Sequence, residues 1–182
     1  HYGAFMAKSS ARTLYEGRYL RLEERDDWEF VARHHPVAAI IAWTPADELL
    51  LVEQYRKPIA QKTIEIPAGL IGDASGTETE SLLDAAGREL EEETGWRAGR
   101  LTEGIAVPTS AGLSSEWVRF VWAKDLVQVG PGGGDASEDI TVHAVAKADI
   151  DDWLAIKYQD GYAIDPKIYA ALYWSWRTQT TQ

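Results

Sequence analysis

Short apolar runs and segments with apolar residues at helical spacing follow one another along the chain. Val37 to Trp43 is almost continuously apolar, which is typical of a buried strand. The predicted strands are residues 12–33 in two or three pieces, 37–43, 49–55, 63–67, 98–107, 116–123 and 140–146. The predicted helices are residues 78–94, 149–158 and 165–177. This mixture predicts an α+β fold in which helices pack against a curved mixed sheet.

Glycine-rich and polar stretches separate these elements. Residues 69–77 and 109–115 are predicted to be loops because they concentrate Gly, Ser, Thr and Asp. Residues 130–134 are expected to be the most flexible segment, since glycine and proline exclude a stable helix or strand there. No internal repeat is present, and we expect a single domain.

Composition narrows the classes of protein that fit this pattern. With 182 residues, 45% of them hydrophobic, the chain can bury a proper core. The absence of cysteine excludes disulfides and thiolate metal sites, and a net charge of −11 argues against nucleic-acid binding. No apolar run approaches the ~20 residues of a membrane-spanning helix, and no secretory signal pattern is present. We therefore expect a cytoplasmic protein with neither a nucleic-acid nor a membrane partner.

The chain divides into three parts by pattern. Residues 1–5 precede Met6, which is the only methionine, and are interpreted as a non-native remnant. Residues 6–36 are predicted to form an antiparallel N-terminal strand region. Residues 37–182 are predicted to contain the main domain.

Residues 88–96 carry the strongest chemical signal. They place four carboxylates in five consecutive positions, 89 to 93. On a helix, Glu89, Glu92 and Glu93 share one face, because residues three and four apart are neighbours. Divalent cations relieve the repulsion among such groups, and hard oxygen ligands suit Mg²⁺ or Mn²⁺. The alternative is an ordinary solvated acidic face.

The same residues resemble the signature of the Nudix hydrolases. That signature runs Gly, five residues, Glu, seven residues, Arg-Glu, an aliphatic residue, any residue, Glu-Glu, any residue, Gly and a bulky apolar residue. Glu80 stands at the position of the upstream Glu. Ala74 stands where the signature has its glycine, while Gly69 looks like the usual loop glycine, which implies a five-residue insertion before Glu80.

Four further segments resemble the branch of that family that acts on ADP-ribose and other nucleoside-diphosphate sugars. They are residues 53–56, 65–69, 110–116 and 138–140. Ala111 stands where that branch often has proline, which leaves another sugar nucleotide such as GDP-mannose open.

The resemblance implies a Nudix α/β/α sandwich with a mixed sheet. It also implies a pyrophosphohydrolase that releases a nucleoside monophosphate and a sugar phosphate. The alternatives are hydrolysis of a nucleoside triphosphate or dinucleoside polyphosphate, and a non-catalytic nucleotide-sugar sensor.

The predicted metal ligands are Glu89, Glu92 and Glu93, for Mg²⁺ with Mn²⁺ as the alternative, and Glu93 is also counted as catalytic. By resemblance, the Ala68 carbonyl and Glu138 also bind metal.

The remaining acidic-helix residues have supporting roles. Arg88 is predicted to orient a neighbouring carboxylate, and Glu80 either binds metal or anchors Arg88. Glu91 occupies the variable position and is expected to face solvent. The general base is Glu138 first and Asp135 second.

Substrate contacts are predicted at four positions. Arg56 either clamps a phosphate or forms a structural ion pair, and Glu65 is counted as substrate-binding. Glu116 either reaches the terminal sugar or catalytic centre or has no such role. Trp28 either stacks on the nucleobase or is a buried structural residue. The resemblance also implies a homodimer in which residues 6–36 contact the second subunit.

Overall fold

The computed structural model describes residues 10–33, 35–72, 79–134 and 139–179. Its strands are β1 (Arg12–Glu16), β2 (Leu20–Arg25), β3 (Trp28–Arg33), β4 (Val37–Ala42), β5 (Glu48–Arg56), β6 (Gln61–Glu65), β7 (Ala68–Leu70), β8 (Trp96–Pro108), β9 (Trp117–Gln128), β10 (Thr141–Ala146) and β11 (Ala163–Ile164). Its helices within those ranges are α1 (Leu82–Thr94), α2 (Ile150–Gln159) and α3 (Pro166–Gln179), and a 3₁₀ turn follows β5 at Lys57–Ile59.

The strands form two mixed sheets and one antiparallel sheet. The mixed sheets have the orders β10-β5-β6-β11 and β7-β4-β9-β8. In each of them one pair is parallel, β6 with β11 and β4 with β9. The prediction of an α+β fold with mixed sheet is therefore confirmed, with its strands divided between two four-stranded sheets.

The core has two layers because β4 buries both of its faces. Ala39 and Ile41 pack with residues of β5, α2 and α3, whereas Ala38 and Ile40 pack with residues of α1. Leu90 is the fully buried anchor of α1 in the second layer. Helices thus cover the sheets from two sides, as expected for an α/β/α sandwich.

Helix α1 has well-defined ends. Ser81 is its N-cap, and the Ser81 hydroxyl accepts a hydrogen bond from the Asp84 amide. Gly95 ends the helix in the left-handed conformation, with φ of 72°. The observed start at Leu82 is four residues later than predicted, because the Ser81 cap and not the apolar pattern sets the first turn.

The strand boundaries also differ from the sequence prediction in places. Residues 68–70 form β7 on the edge of β4, within a segment predicted partly as loop. The strand predicted to end at residue 123 continues as β9 to Gln128, because it pairs with the long β8 hairpin partner.

The N-terminal sheet docks on a loop of the main body. β1, β2 and β3 are antiparallel neighbours. The Val31 amide donates to the Leu113 carbonyl at 2.8 Å, and the Ser115 amide donates to the Val31 carbonyl at 2.9 Å. These bonds place β3 beside the loop that precedes β9. In the part of the chain that the structure describes, no helix combines the length and apolarity needed to cross a membrane.

Candidate active site

The acidic face of α1 lies against β7. Glu93 is only 3% exposed, and its carboxylate accepts a hydrogen bond from the Ala68 amide at 3.0 Å. A side chain added to Gly69 would overlap the carboxylate of Glu89. Two predicted metal ligands, Glu93 and Glu89, therefore lie against Ala68 and Gly69 of β7. Position 69 requires glycine because any side chain there would prevent the close approach of Glu89.

Arg88 joins the carboxylates of the helix. Its guanidinium donates two hydrogen bonds to Glu80, at 3.0 and 3.1 Å, one to Glu89 at 2.8 Å and one to Glu92 at 3.1 Å. The Glu80 hydrogen bond is the main reason that the pKa of Arg88 lies above its ordinary value. Arg88 is thus hydrogen-bonded to Glu80, Glu89 and Glu92 at once, which is the arrangement expected of an anchor at Glu80 and an orienting role for Arg88.

Glu91 lies away from this group. It forms a surface ion pair with Arg97, with distances of 2.7 and 2.8 Å. The one carboxylate of the run assigned to solvent is thus the one that faces away from Glu89 and Glu92.

The donor set on α1 fits a hard divalent cation. Glu80, Glu89 and Glu92 contact the single guanidinium of Arg88, so this group carries a formal surplus of negative charge, and Glu93 lies on the same helix. Carboxylate oxygens are the ligands that Mg²⁺ and Mn²⁺ prefer. Among the described residues, however, no three acidic or histidine side chains are already grouped as a metal centre. The physical reason is that Glu89 and Glu92 turn toward the Arg88 guanidinium, so the metal assignment stays a prediction.

Arg56 and Glu65 form a bidentate ion pair at the end of β5. Nε and Nη2 of Arg56 donate to the two oxygens of Glu65 at 2.6 and 2.7 Å, and the Thr63 hydroxyl also donates to Glu65. Burial raises the pKa of Glu65, but the hydrogen bonds from Arg56 and Thr63 outweigh it and hold the pKa below its usual value. The pair uses two of the five guanidinium N–H groups, which leaves three for a ligand. Arg56 is thus both ion-paired and 42% exposed to the cavity described next.

A cavity of about 520 Å³ lies between the two mixed sheets, next to α1. One wall comes from the β5–β6–β11 side, including Arg56, Glu65 and Lys167, and the other comes from the β4–β9 side. Glu89, Ala68 and Gly69 connect this cavity to the acidic helix. The volume is within the range of small-molecule sites.

Two more ion pairs line the cavity, and of their four residues only Glu116 was singled out from the sequence. Nε of Arg33 lies 2.6 Å from Glu116, where β3 meets the loop before β9. Nζ of Lys167 lies 2.5 Å from Asp165, at the start of α3. Pairing of β11 with β6 is what brings Asp165 to the cavity, and the only local signal was the Asp165-Pro166-Lys167 helix start.

Trp28 is not buried. The residue is 58% exposed, and its indole N–H donates a hydrogen bond to the Gly112 carbonyl at 3.2 Å. The alternative of a buried structural tryptophan is therefore wrong, because β3 lies at the edge of the main body and its first residue faces outward. The structure does not place Trp28 in the cavity lining.

Glu53, in the segment that resembled the sugar-nucleotide branch, points to the α2 side of its sheet. Its buried carboxylate accepts hydrogen bonds from Lys62 at 2.8 Å and Lys157 at 3.2 Å, and His143 lies 3.1 Å away. Tyr162 donates to it as well, at 3.3 Å. Burial raises the pKa of Glu53, but the hydrogen bonds with Lys62, His143 and Lys157 lower it to about 2. Glu53 is thus a structural centre outside the cavity.

The glycine run after β9 is attached to the end of α1. The amides of Gly133 and Gly134 donate to the carbonyls of Glu93 and Glu92 at 2.8 and 3.0 Å. A side chain on Gly132, whose φ is 68°, would overlap the Thr94 backbone. The segment has neither helix nor strand, as predicted, but its backbone is tied to the helix that carries the acidic face. Glu138 and Asp135, the candidate bases, lie outside the described residues.

Comparison with known proteins identifies the family. The NUDIX domain model matches residues 33–170, which is most of the chain. The chain belongs to the NUDIX family. The matched range begins at the last residue of β3 and ends within α3. It includes all of the cavity-lining residues named above.

Several curated proteins are similar to this NUDIX chain. A "Methanol dehydrogenase activator" of Bacillus methanolicus is 34% identical over 122 residues, covering 62% of this chain and 63% of the relative. An "ADP-ribose pyrophosphatase" of Bacillus subtilis is 36% identical over 96 residues, covering 53% and 49%. An "ADP-sugar pyrophosphatase" of Mus musculus is 32% identical over 129 residues, covering 67% and 56%. The chain therefore spans less than two thirds of the length of each of these relatives.

A solved structure described as "Crystal structure of ADP compounds hydrolase" has the same fold. It superposes with a TM-score of 0.64 at 22% identity, covering 84% of this chain and 85% of that one. At this identity the likeness supports the fold alone.

Proposed function

We propose that this NUDIX protein is a metal-dependent pyrophosphohydrolase that cleaves a nucleoside-diphosphate sugar, such as ADP-ribose or GDP-mannose. The products are a nucleoside monophosphate and a sugar phosphate. The observation that supports the proposal most is a cavity lined by both Arg56 and Glu89 of the acidic helix. The relatives named as ADP-ribose and ADP-sugar pyrophosphatases support the substrate class.

Each side chain has a defined task in this proposal. Glu89, Glu92 and Glu93, with the Ala68 carbonyl, hold the divalent cation, for which Mg²⁺ is proposed and Mn²⁺ is the alternative. When bound, the cation neutralises charge on the diphosphate and lowers the pKa of a coordinated water. Arg56 donates its remaining N–H groups to a phosphate oxygen, a contact suited to a planar guanidinium.

The base that accepts a proton from the attacking water is proposed to be Glu138, with Asp135 as the second candidate. Glu65 acts on substrate through Arg56, because its carboxylate is already occupied by Arg56 and Thr63. Glu116 is paired with Arg33 at the opposite wall and is proposed to reach the catalytic centre.

A homodimer is proposed through the N-terminal strand region, residues 6–36. Tyr15, Tyr19 and Trp28 are exposed there, and large exposed apolar side chains on one small sheet are common at subunit interfaces. Trp28 is proposed to stack on the nucleobase at that interface. The remaining parts of the proposal are a main domain over residues 37–182 and a cytoplasmic location.

The test compares two glutamates of the same helix. Glu93→Gln should lower Mg²⁺-dependent hydrolysis of the sugar nucleotide by at least ~100-fold, because lost metal stabilisation costs several kcal/mol. Glu91→Gln is the matched control and should stay within about threefold of the wild type, since Glu91 pairs with Arg97 on the surface. If Glu93→Gln retains activity within about tenfold of the wild type, the ligand assignment is wrong.

The substrate class is tested with a panel assayed by product analysis. It contains ADP-ribose, GDP-mannose, nucleoside triphosphates and dinucleoside polyphosphates, each with Mg²⁺ and with Mn²⁺. Preferred turnover of a triphosphate or polyphosphate would replace the proposed substrate. Tight binding of ADP-ribose without turnover of any compound would favour the nucleotide-sugar sensor.

A further inference from the structure

We propose that the Asp165–Lys167 pair is the subsite for the hydroxyl-bearing sugar ring at the far end of the diphosphate, an inference that rests on the proposed function. The pair lies on the β5–β6–β11 wall of the cavity, together with Arg56, Pro58 and Ile59. The other wall carries Arg33, and Trp28, the proposed nucleobase contact, precedes it along β3. A substrate whose diphosphate lies at Arg56 therefore extends toward Asp165 on one side.

The position of Asp165 is fixed by the backbone. Its amide donates to the Ile64 carbonyl at 2.9 Å, directly beyond the parallel pairing of β11 with β6. Its side chain caps α3 by accepting a hydrogen bond from the Lys167 amide at 2.7 Å. Asp165 therefore sits next to Glu65, and its charge contributes to raising the pKa of Arg56.

Lys167 occupies a position that the helix itself disfavours. It is the second residue of α3, and a cation in the first turn opposes the helix macrodipole. The ion pair with Asp165 offsets this cost and holds the side chain at 21% exposure on the cavity wall. Residues that break a local rule in this way are concentrated at functional sites. The helix cap needs only the Asp165 carboxylate, so capping by itself does not require a lysine at position 167.

The chemistry of the pair suits hydroxyl groups better than a phosphate. Asp165 already neutralises Lys167, so the pair offers an anion little net attraction. It does offer both carboxylate acceptors and ammonium donors, and a sugar hydroxyl both donates and accepts. Beside the pair, Ile59 is 54% exposed and, with Pro58, supplies an apolar surface for the C–H face of a ring. Because the pair is ordered by the N-cap before any ligand arrives, little side-chain entropy is lost on binding.

The test measures recognition of the ring separately from catalysis. Two non-hydrolysable ligands are compared by calorimetry with Mg²⁺: α,β-methylene ADP-ribose, and the same diphosphate with a methyl ester in place of the distal ribose. The affinity ratio is the affinity for the ribose-bearing ligand divided by the affinity for the methyl ester. It reports the contribution of the ring alone. The variants are Lys167→Met and Asp165→Asn, and Lys124→Met, an exposed lysine of β9, is the matched control.

Both variants should lower the affinity ratio by about tenfold or more, since each removes a hydrogen bond between the ring and a charged group. Lys124→Met should leave the ratio unchanged. Asn at position 165 still accepts from the Lys167 amide and so keeps the cap, which separates recognition from folding. Lys167→Arg should recover part of the ratio.

The inference is overturned if both ligands weaken equally, or if the ratio in both variants stays within about twofold of the wild type. Turnover of ADP-ribose by the wild type judges the proposed function separately. If the wild type hydrolyses ADP-ribose but the variants leave the ratio unchanged, the subsite is refuted and the hydrolase is supported. If the variants lower the ratio but no hydrolysis is seen, the subsite is supported and the hydrolase is refuted.

Discussion

Glu65→Gln should show whether Glu65 contributes to activity by orienting Arg56 or by contacting the substrate itself. In the wild type, the Glu65 carboxylate accepts two hydrogen bonds from Arg56 and one from Thr63. Glutamine keeps one acceptor oxygen, and its amide group can only donate. At least one of the three hydrogen bonds is therefore lost, because the glutamine NH₂ group then faces an N–H or O–H donor of Arg56 or Thr63.

The size of the effect follows from the burial of each partner. A lost hydrogen bond to a charged group costs ~1.5–3 kcal/mol. Breaking a fully buried ion pair costs ~3–5 kcal/mol, but Arg56 is 42% exposed and can reach water. We therefore expect Glu65→Gln to lower the free energy of unfolding by about 2–3 kcal/mol. Thr63→Val, which removes only the hydroxyl donor, should cost about 1 kcal/mol.

The assays are urea unfolding and kcat/KM for the sugar nucleotide, in a cycle with Arg56→Met. Glu65→Gln should lower kcat/KM by about 10- to 100-fold in the wild-type background, because Arg56 loses its orientation. In the Arg56→Met background the same change should cost less than about threefold, since its effect passes through Arg56. Equal losses in both backgrounds, or an unfolding free energy within about 0.5 kcal/mol of the wild type, would refute the reasoning.

Two further predictions concern stability. Gly132→Ala should lower the free energy of unfolding by about 2–3 kcal/mol, through its positive φ and the overlap with Thr94, whereas Gly112→Ala, with open space around it, should stay within about 0.5 kcal/mol in the same urea titration. Glu53, whose folded-state pKa of about 2 lies below its ordinary value of 4.5, should contribute stability fully at neutral pH and lose it as the pH falls from 4.5 toward 2. The difference in unfolding free energy between the wild type and Glu53→Gln should accordingly be larger at neutral pH than at about pH 3, and a difference independent of pH would contradict the assignment.

The acidic helix was predictable because its signals are local. Apolar residues at helical spacing, four carboxylates and the terminal Gly95 all lie within one short segment. The strands around residues 37–56 were equally clear, since continuous apolar runs predict buried strands. The three-residue β7 was missed in part, because a strand that begins at Ala68-Gly69 has no periodicity to detect.

The cavity wall was harder to predict because topology assembles it. Arg33 meets Glu116 only because β3 docks on the loop before β9. Asp165 reaches the cavity only through the parallel pairing of β11 with β6. No sequence pattern reports such long-range pairing. Trp28 shows the same limit, since its exposure depends on β3 lying at an edge.

The Arg88 network bears on how stability would depend on the proposed cation. Because the guanidinium already bridges Glu80, Glu89 and Glu92, it acts as an internal counterion that keeps the acidic face from repelling itself apart. Chelation should therefore abolish turnover while leaving the melting temperature nearly unchanged, unlike in small domains whose fold depends on a metal. Activity should return on adding Mg²⁺ without a refolding step. The amount of bound metal would then determine the activity of the protein but not the stability of its fold.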